Sequence, residues 1–168
     1  NNKAMKKLMI CIILVLFIPL IAYSEPKIGR ESPDFVSTSL DGKLHRLKQY
    51  RGKTVVLEWF NFECPYVQQL YQSRTVQRLK KHHLENGGVW LSISSESPRR
   101  LGFFWKRKLR KKIKEYDLMN SVLLIDKKGV VGRQYHVPVS PYIVIIDKEG
   151  IVRYMGAFDS QDQLTYKP

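Results

Sequence analysis

The sequence predicts one α/β domain with a central mixed β-sheet that is flanked by helices. Three observations predict this class. Runs rich in β-branched and aromatic residues alternate along the chain with segments of helical periodicity. Glycine-containing turns indicate hairpins near both ends of this pattern. The 168 residues, of which 43% are hydrophobic and 11% aromatic, suffice for one compact domain and exclude a disordered segment.

The first half of the chain is predicted to contain an N-terminal β-hairpin, a buried strand and a long helix. Asp41-Gly42 is a common hairpin turn, and residues 34–38 and 43–47 flank it as strands. Residues 54–60 are rich in β-branched and aromatic side chains, which predicts a buried strand. From residue 65 to residue 82, apolar side chains recur at helical spacing. They are Val67, Leu70, Tyr71, Val76 and Leu79.

The second half is predicted to add strands, two helices and a closing hairpin. Glycines at 87 and 88 end the long helix, and residues 89–93 form the next strand. A very basic helix is expected over residues 99–116, followed by a strand over 122–125 and a short helix over 130–135. Residues 142–146 and 151–155 then form an antiparallel pair. In this layout, residues 54–60 and 89–93 are the inner strands of the sheet.

The first 24 residues have the pattern of a secretory signal peptide. Lys6 and Lys7 precede an apolar run over residues 8–22, and Ala22-Tyr23-Ser24 fits the cleavage rule. We therefore expect translation to start at Met5 and a periplasmic or otherwise exported domain over residues 25–168; an uncleaved membrane anchor is the alternative. No last apolar helix follows the closing hairpin, which suggests a truncated C-terminus or a bare sheet edge.

Export would leave Cys64 as the domain's lone thiol, since Cys11 lies in the signal segment. In an oxidising compartment such a thiol is either buried and inert or chemically used. Cys64 lies where a predicted strand ends and a predicted helix begins. The unpaired N–H groups and the dipole at the start of a helix favour the thiolate form of a cysteine. Pro65 suits the first helical position. Glu63 opposes this effect, and a cation such as Arg74 or Arg133 would offset it if the fold brings it near.

The residues around Cys64 resemble those of the alkyl hydroperoxide reductase/thiol-specific antioxidant (AhpC/TSA) family of thioredoxin-like redoxins. The resemblance covers residues 28–158. It rests on Trp59-Phe60-Asn61-Phe62-Glu63-Cys64-Pro65-Tyr66-Val67, on Ser140-Pro141 before a strand, on Pro33-Asp34-Phe35 and on Leu40-Asp41-Gly42-Lys43. It implies a thioredoxin-like fold with Cys64 as catalytic residue and a cis-proline pair opposite it. Asn61, Pro65, Ser140 and Pro141 would then dock the substrate. An ordinary trans proline at 141, or Pro138 in its place, is the competing interpretation.

Two departures from the family pattern restrict the chemistry. Val67 stands where thioredoxin-type reductases carry their second cysteine, while Asn61 and Leu57 replace the Thr or Ser and the Pro of the typical peroxidatic signature. The predicted function is therefore an exported thiol oxidoreductase acting through Cys64 alone. Its substrate would be a peroxide or a protein disulfide, and an external thiol would restore it. We expect no cofactor and no metal, since no ligand spacing surrounds His82, His83 or His136.

The basic helix supports an alternative, non-catalytic function. The chain carries a formal net charge of +14, and nine basic residues fall within residues 99–114, interleaved with apolar ones. Such a helix could bind an acidic partner protein or an anionic membrane surface. It could equally be a solvated outer helix whose apolar stripe packs on the sheet. Nucleic acid is not an expected partner of an exported protein.

Overall fold

The computed structural model describes residues 25–95, 106–118 and 122–158. Within them, one seven-stranded sheet runs in the order β2-β1-β5-β4-β3-β6-β7. The strands are β1 Val36–Ser39, β2 Leu44–Arg46, β3 Val55–Trp59, β4 Val89–Ser94, β5 Val122–Ile125, β6 Tyr142–Ile146 and β7 Val152–Ala157. The helices of this part of the chain are α1 Pro65–Gln72, α2 Thr75–Glu85, α3 Lys106–Glu115 and α4 Val130–Gln134, with a 3₁₀ turn over Leu47–Tyr50.

The sheet is mixed, as the sequence predicts. Strands β3, β4 and β5 pair in parallel, whereas β6 and β7 on one side and β1 and β2 on the other pair antiparallel. The two predicted inner strands are confirmed, because β3 lies between β4 and β6 and β4 lies between β3 and β5. Every residue of β3 is buried, which a strand at the centre of a sheet covered on both faces requires.

Two apolar clusters cover the two faces of the sheet. Successive side chains of a strand point to opposite faces, so Leu57 and Trp59 join one cluster while Val56 and Phe60 join the other. The second cluster includes residues from α1, α2 and α3, which places these helices on that face. Strand β3 therefore ends between two packed layers, and the turn after it is held on both sides.

The predicted helix over residues 65–82 is two helices, and this expectation was wrong. Arg74 has φ 60°, a left-handed conformation that interrupts the helix after Gln72. Tyr71 and Val76 are both buried but lie five residues apart, about 1.4 helical turns, so one straight helix cannot point both at the core. The break lets each helix bury its own side chains. Leu79, one of the apolar residues at helical spacing, is 48% exposed.

The other predicted elements within the described residues agree with the structure to within a few residues. Gly42, with φ 92°, lies in the turn of the β1–β2 hairpin, where a side chain would be strained. The basic helix is described from Lys106, and its Leu109 and Ile113 are buried. The predicted signal segment over residues 1–24 and residues 99–105 of the basic stretch lie outside the described residues. Among the described helices, none is both long and apolar enough to span a membrane.

Candidate active site

Cys64 lies at the N-cap of α1, directly after the central strand β3. Its N–H donates to the carbonyl of Asn61 at 3.0 Å, and its own carbonyl accepts the N–H of Gln68 at 3.0 Å. The Asn61 side-chain oxygen accepts the N–H of Glu63 at 2.8 Å. Pro65 is the first helical residue, where its missing N–H leaves no bond unmade. The strand-to-helix turn expected from the sequence is therefore present, and Asn61 shapes it.

The loop before β6 brings Ser140 against this turn. The Ser140–Pro141 peptide bond is cis, as the resemblance implies, and no other cis bond occurs in the described ranges, so Pro138 is not the cis proline. The Cys64 thiol donates to the Ser140 carbonyl oxygen at 3.2 Å, joining residues that are 76 positions apart. The Ser140 hydroxyl is buried and has no hydrogen-bond partner among the described atoms.

An open groove of about 730 Å³ runs past the partly exposed Cys64. Its floor includes Trp59, Phe60 and Asn61, one wall comes from residues 137–140, and the other from residues 128–133. Its volume falls in the range of about 300–1,000 Å³ usual for small-molecule sites. The groove therefore gives Cys64 access to a substrate while packed aromatic side chains close its floor.

The two cations considered at the sequence level have different positions. Arg133 lines the groove, whereas Arg74 contacts Asp117 at 3.5 Å and lines a separate depression beside α2. Lys128 also lines the groove, and Arg133 Nη1 donates to its carbonyl at 2.8 Å. Glu63 is exposed on the turn itself. The structure thus places two basic side chains around the approach to Cys64.

The comparisons with known proteins agree with this geometry. A model of the AhpC/TSA family matches residues 28–155, most of the chain. The chain belongs to the AhpC/TSA family. The resemblance predicted from the Cys64 turn and the Ser140-Pro141 pair is therefore confirmed.

Curated relatives of this AhpC/TSA family member are named as a thiol-disulfide oxidoreductase or as a thioredoxin-like protein. The thiol-disulfide oxidoreductase ResA of Bacillus thuringiensis subsp. konkukian is 28% identical over 146 residues, covering 82% of this chain and 75% of the relative. The thioredoxin-like protein YneN of Bacillus subtilis is 26% identical over 125 residues, covering 74% and 68%. The expectation of a thiol-dependent oxidoreductase is confirmed in this general form.

Solved structures show the same thioredoxin-like fold. The exposed lipoprotein thioredoxin of Streptococcus pneumoniae is 27% identical with a TM-score of 0.60, covering 79% of this chain and 95% of that one. A putative thiol:disulfide interchange protein DsbE of Chlorobium tepidum is 19% identical with a TM-score of 0.66, covering 84% and 93%. The predicted fold class, thioredoxin-like with a central mixed sheet, is confirmed.

A buried carboxylate supports the groove wall of this AhpC/TSA domain. Asp126 accepts the N–H groups of Val130 and Gly132 at 2.8 and 3.0 Å, and the Ser95 hydroxyl at 2.9 Å. The Trp59 indole N–H in turn donates to the Ser95 hydroxyl at 3.2 Å. This chain of bonds ties the start of α4 to the aromatic floor of the groove. Asp126 was not among the site residues predicted from the sequence.

A second buried polar cluster, also missed at the sequence level, lies between β3 and α1–α2. Glu58 Oε2 accepts from the Trp90 indole at 2.7 Å and from the Ser92 hydroxyl at 2.8 Å, and Tyr71 of α1 donates to its Oε1 at 2.5 Å. Lys80 Nζ is 3.4 Å from Glu58 Oε2 and donates to Ser92 at 3.0 Å. A charged residue inside the apolar run 54–60 was the available signal. The cluster fastens the Cys64 helix to the central strand through Tyr71.

The charge states in this cluster follow from burial and pairing. Burial raises the pKa of Glu58, but the Lys80 charge and the three hydrogen bonds outweigh it, and the pKa lies below its ordinary value. Burial lowers the pKa of Lys80, and Glu58 opposes this only in part. The pKa of Tyr71 is raised well above its ordinary value by burial and by the neighbouring carboxylate. Glu58 and Lys80 are therefore held as an ion pair in the interior.

The remaining residues considered at the sequence level do not gather into a metal site. His83 bonds the carbonyls of Thr54 and Val89 at 3.0 and 3.2 Å, which fixes the end of α2 to the sheet. Among the described residues, no three His, Cys, Asp or Glu side chains come together as metal ligands would. On α3, Arg110, Lys111 and Lys114 are exposed while Leu109 and Ile113 pack inward, the arrangement of an outer helix covering the sheet.

Proposed function

We propose that this AhpC/TSA protein is a thiol–disulfide oxidoreductase whose reacting group is the single thiol of Cys64. The observation that carries the proposal is the Cys64–Ser140 pair: a partly exposed thiol at a helix N-cap lies 3.2 Å from the carbonyl before a cis proline, at the edge of an open groove. The relatives named as thiol-disulfide oxidoreductases support it.

The proposed reaction is exchange through a mixed disulfide. The Cys64 thiolate attacks one sulfur of a substrate disulfide, a new S–S bond forms, and the other sulfur leaves with the electron pair as a thiolate. Because Val67 stands where a resolving cysteine would be, a thiolate from outside the domain then attacks the mixed disulfide and releases Cys64. The net change is one thiol–disulfide exchange: one half of the substrate leaves as a thiolate, and the other half becomes disulfide-bonded to the external thiol.

Ser140 and the cis proline would position the substrate. When the Cys64 thiol loses its proton it no longer donates to the Ser140 carbonyl, which becomes free to accept a backbone N–H of an extended substrate. Pro65 begins α1 directly after Cys64, and Asn61 holds the turn before it through its hydrogen bond to the N–H of Glu63. In this proposal Cys64 is the catalytic residue, and Asn61, Pro65, Ser140 and Pro141 form the docking surface.

Disulfide exchange fits the turn better than peroxide reduction does. The typical Thr or Ser three residues before the cysteine is Asn61 here, and its side-chain oxygen already accepts the N–H of Glu63. Leu57, in place of the typical Pro, is fully buried in the core. No hydroxyl therefore stands at residue 61 to orient a peroxide. Peroxide reduction, which the family membership supports, is the second candidate.

We also propose that residues 1–24 are a secretory signal and that the protein works outside the cytoplasm. The Lys6-Lys7 and apolar-run pattern supports the signal, and the pneumococcal relative, named as an exposed lipoprotein thioredoxin, supports the compartment. N-terminal sequencing of exported material is expected to begin near Glu25. Recovery of the protein with residues 1–24 attached in the membrane fraction would favour the uncleaved anchor.

Stopped-flow kinetics with a neutral aromatic disulfide test the proposed reaction. 4,4′-Dithiodipyridine releases a coloured product when a thiolate attacks it. The chain carrying Cys11→Ser is expected to react in a single phase with one equivalent, and the Cys11→Ser/Cys64→Ser chain is expected not to react. Parallel trapping with dimedone after peroxide treatment reports the sulfenic acid of the second candidate. If the thiol of the native protein reacts only as fast as the protein unfolds, Cys64 is inert and inaccessible in the folded state. That result would contradict the proposal.

A further inference from the structure

The groove beside Cys64 carries a net positive charge that the described part of the chain does not neutralise. Lys128 and Arg133 are the charged side chains among its described lining residues, and both are exposed. Elsewhere on the surface, cations such as Arg46, Arg51 and Arg153 contact carboxylates at 2.5–3.2 Å. Neither groove cation forms such an ion pair with a carboxylate of the described residues.

The carboxylate nearest in sequence to these cations already accepts hydrogen bonds from other groups. Asp126 is buried, and its two oxygens accept three hydrogen bonds from Ser95, Val130 and Gly132. Arg133 donates one N–H to the Lys128 carbonyl, and this bond holds its side chain along the wall. The other guanidinium N–H groups can donate to a ligand. Guanidinium groups bind carboxylates through paired N–H donors. The wall is therefore chemically suited to a carboxylate.

We propose that the groove takes a small thiol or disulfide that carries carboxylates, with Lys128 and Arg133 as its specificity-determining residues. This inference rests on the proposed exchange at Cys64 and names the chemical class of the external thiol that the reaction requires. A carboxylate of this small thiol binds the wall that carries Lys128 and Arg133. Its sulfur lies against Cys64 and its backbone lies along Ser140.

The same wall assists the exchange step itself. The sulfur that leaves the substrate disulfide carries away a negative charge, and the two cations that line the same groove stabilise that charge. Atoms and electrons balance as in the exchange already described: one S–S bond forms at Cys64, one breaks in the substrate, and the leaving group is a thiolate. The second step reverses these roles with the same class of thiol as attacker.

A charge series of disulfides tests this inference. Three probes are used with the Cys11→Ser chain: glutathione disulfide, which is anionic, 2-hydroxyethyl disulfide, which is neutral, and cystamine, which is cationic. The rate constant for each probe is divided by the rate constant for the reaction of the same probe with a neutral model thiol. Intrinsic differences in reactivity between the probes then cancel. We expect the normalised rate for glutathione disulfide to exceed that for cystamine about tenfold or more at low ionic strength, and the ratio to shrink as salt is added.

Single-charge variants locate the source of this preference. Lys128→Gln and Arg133→Gln are each expected to lower the anionic-to-cationic ratio about threefold, and the double variant is expected to bring it close to one. Lys127→Gln is the matched control, because it removes the same charge from an exposed neighbour that does not line the groove. The control is expected to keep the wild-type ratio.

The outcomes separate this inference from the proposed function. If Cys64 reacts with the neutral probe but shows no preference for the anionic one, the inference is overturned and exchange at Cys64 stands. A preference that Lys127→Gln reduces as much as the groove variants do arises from the overall charge of +14, and it also overturns the inference. If Cys64 reacts with none of the probes, the inference and the proposed function are both lost.

Discussion

Removal of the Lys80 ammonium is expected to destabilise the domain strongly, because it would leave a charged Glu58 alone in the interior. The side chains of Glu58 and Lys80 are only 1% and 5% exposed. Breaking a buried ion pair at one partner costs about 3–5 kcal/mol. Tyr71, Trp90 and Ser92 still donate to the carboxylate, so we expect Lys80→Met to cost about 3 kcal/mol, the lower end of that range.

The cost of Lys80→Met is expected to depend on pH in a defined direction. In the wild type, the pKa of Glu58 is lowered, so its ionisation contributes stability that is lost only as the pH falls through the lowered value. Without Lys80, the burial that raises the pKa of Glu58 is opposed only by hydrogen bonds. We expect the pKa to rise above its unfolded value, so that the variant gains stability on acidification. The deficit is therefore largest at pH 7 and smaller at pH 5.

Urea unfolding followed by circular dichroism measures this effect. With a slope of about 2 kcal/mol per molar urea, a loss of about 3 kcal/mol moves the midpoint by about 1.5 M. Lys81→Met is the matched control: its ammonium lies 3.8 Å from Glu85 on the exposed side of the same helix, and we expect a change of about 0.5 kcal/mol or less. Glu58→Gln/Lys80→Met is expected to recover part of the loss. Equal midpoints for Lys80→Met and Lys81→Met, or a deficit that grows at pH 5, would show that Lys80 does not compensate a charged Glu58.

Three further predictions concern the supports of the groove and the reacting residue. Asp126→Asn replaces an acceptor oxygen by a donor beneath α4, and we expect a loss of about 2 kcal/mol in urea unfolding together with a changed Trp59 fluorescence. Tyr135→Phe removes a buried 2.6 Å bond to the Pro33 carbonyl and is expected to cost about 1–2 kcal/mol in the same assay. Cys64→Ser places a hydroxyl of similar size at a partly exposed turn, so its unfolding free energy is expected to stay within about 0.5 kcal/mol of the wild type. A larger loss for Cys64→Ser would indicate that the thiol has a structural role.

The sheet could be predicted from the sequence because its inner strands are short and nearly continuously apolar. Residues 142–146 and 122–125 were predicted with the bounds that the structure gives to β6 and β5. The predicted helix after Cys64 is too long, because Val67, Tyr71 and Val76 are all apolar and a five-residue step between two apolar residues does not by itself indicate a break. Hydrophobic periodicity finds the face of a helix more readily than its interruption.

The candidate site could be predicted only in part, because its members are far apart in the chain. Cys64 was identified by its place at a strand-to-helix turn. That Ser140 lies opposite it was expected from the family resemblance alone, because no local pattern indicates the contact. From the sequence, Arg74 and Arg133 were equal candidates for a cation near Cys64. Only the packing of α4 places Arg133 in the groove. Glu58 and Lys80 were missed because pairing across 22 residues has no signature in a single sequence.

Intact-protein mass spectrometry of the chain carrying Cys11→Ser is the most direct test of exchange through Cys64. The chain is incubated with a disulfide-linked peptide, quenched with acid, and mapped by proteolysis to locate the adduct. We expect one peptide half to be attached to Cys64 as a mixed disulfide in the Cys11→Ser chain, to disappear on addition of glutathione, and to be absent from the Cys11→Ser/Cys64→Ser chain. If Cys64 carries no adduct under conditions in which a free cysteine peptide forms one, exchange through Cys64 is contradicted.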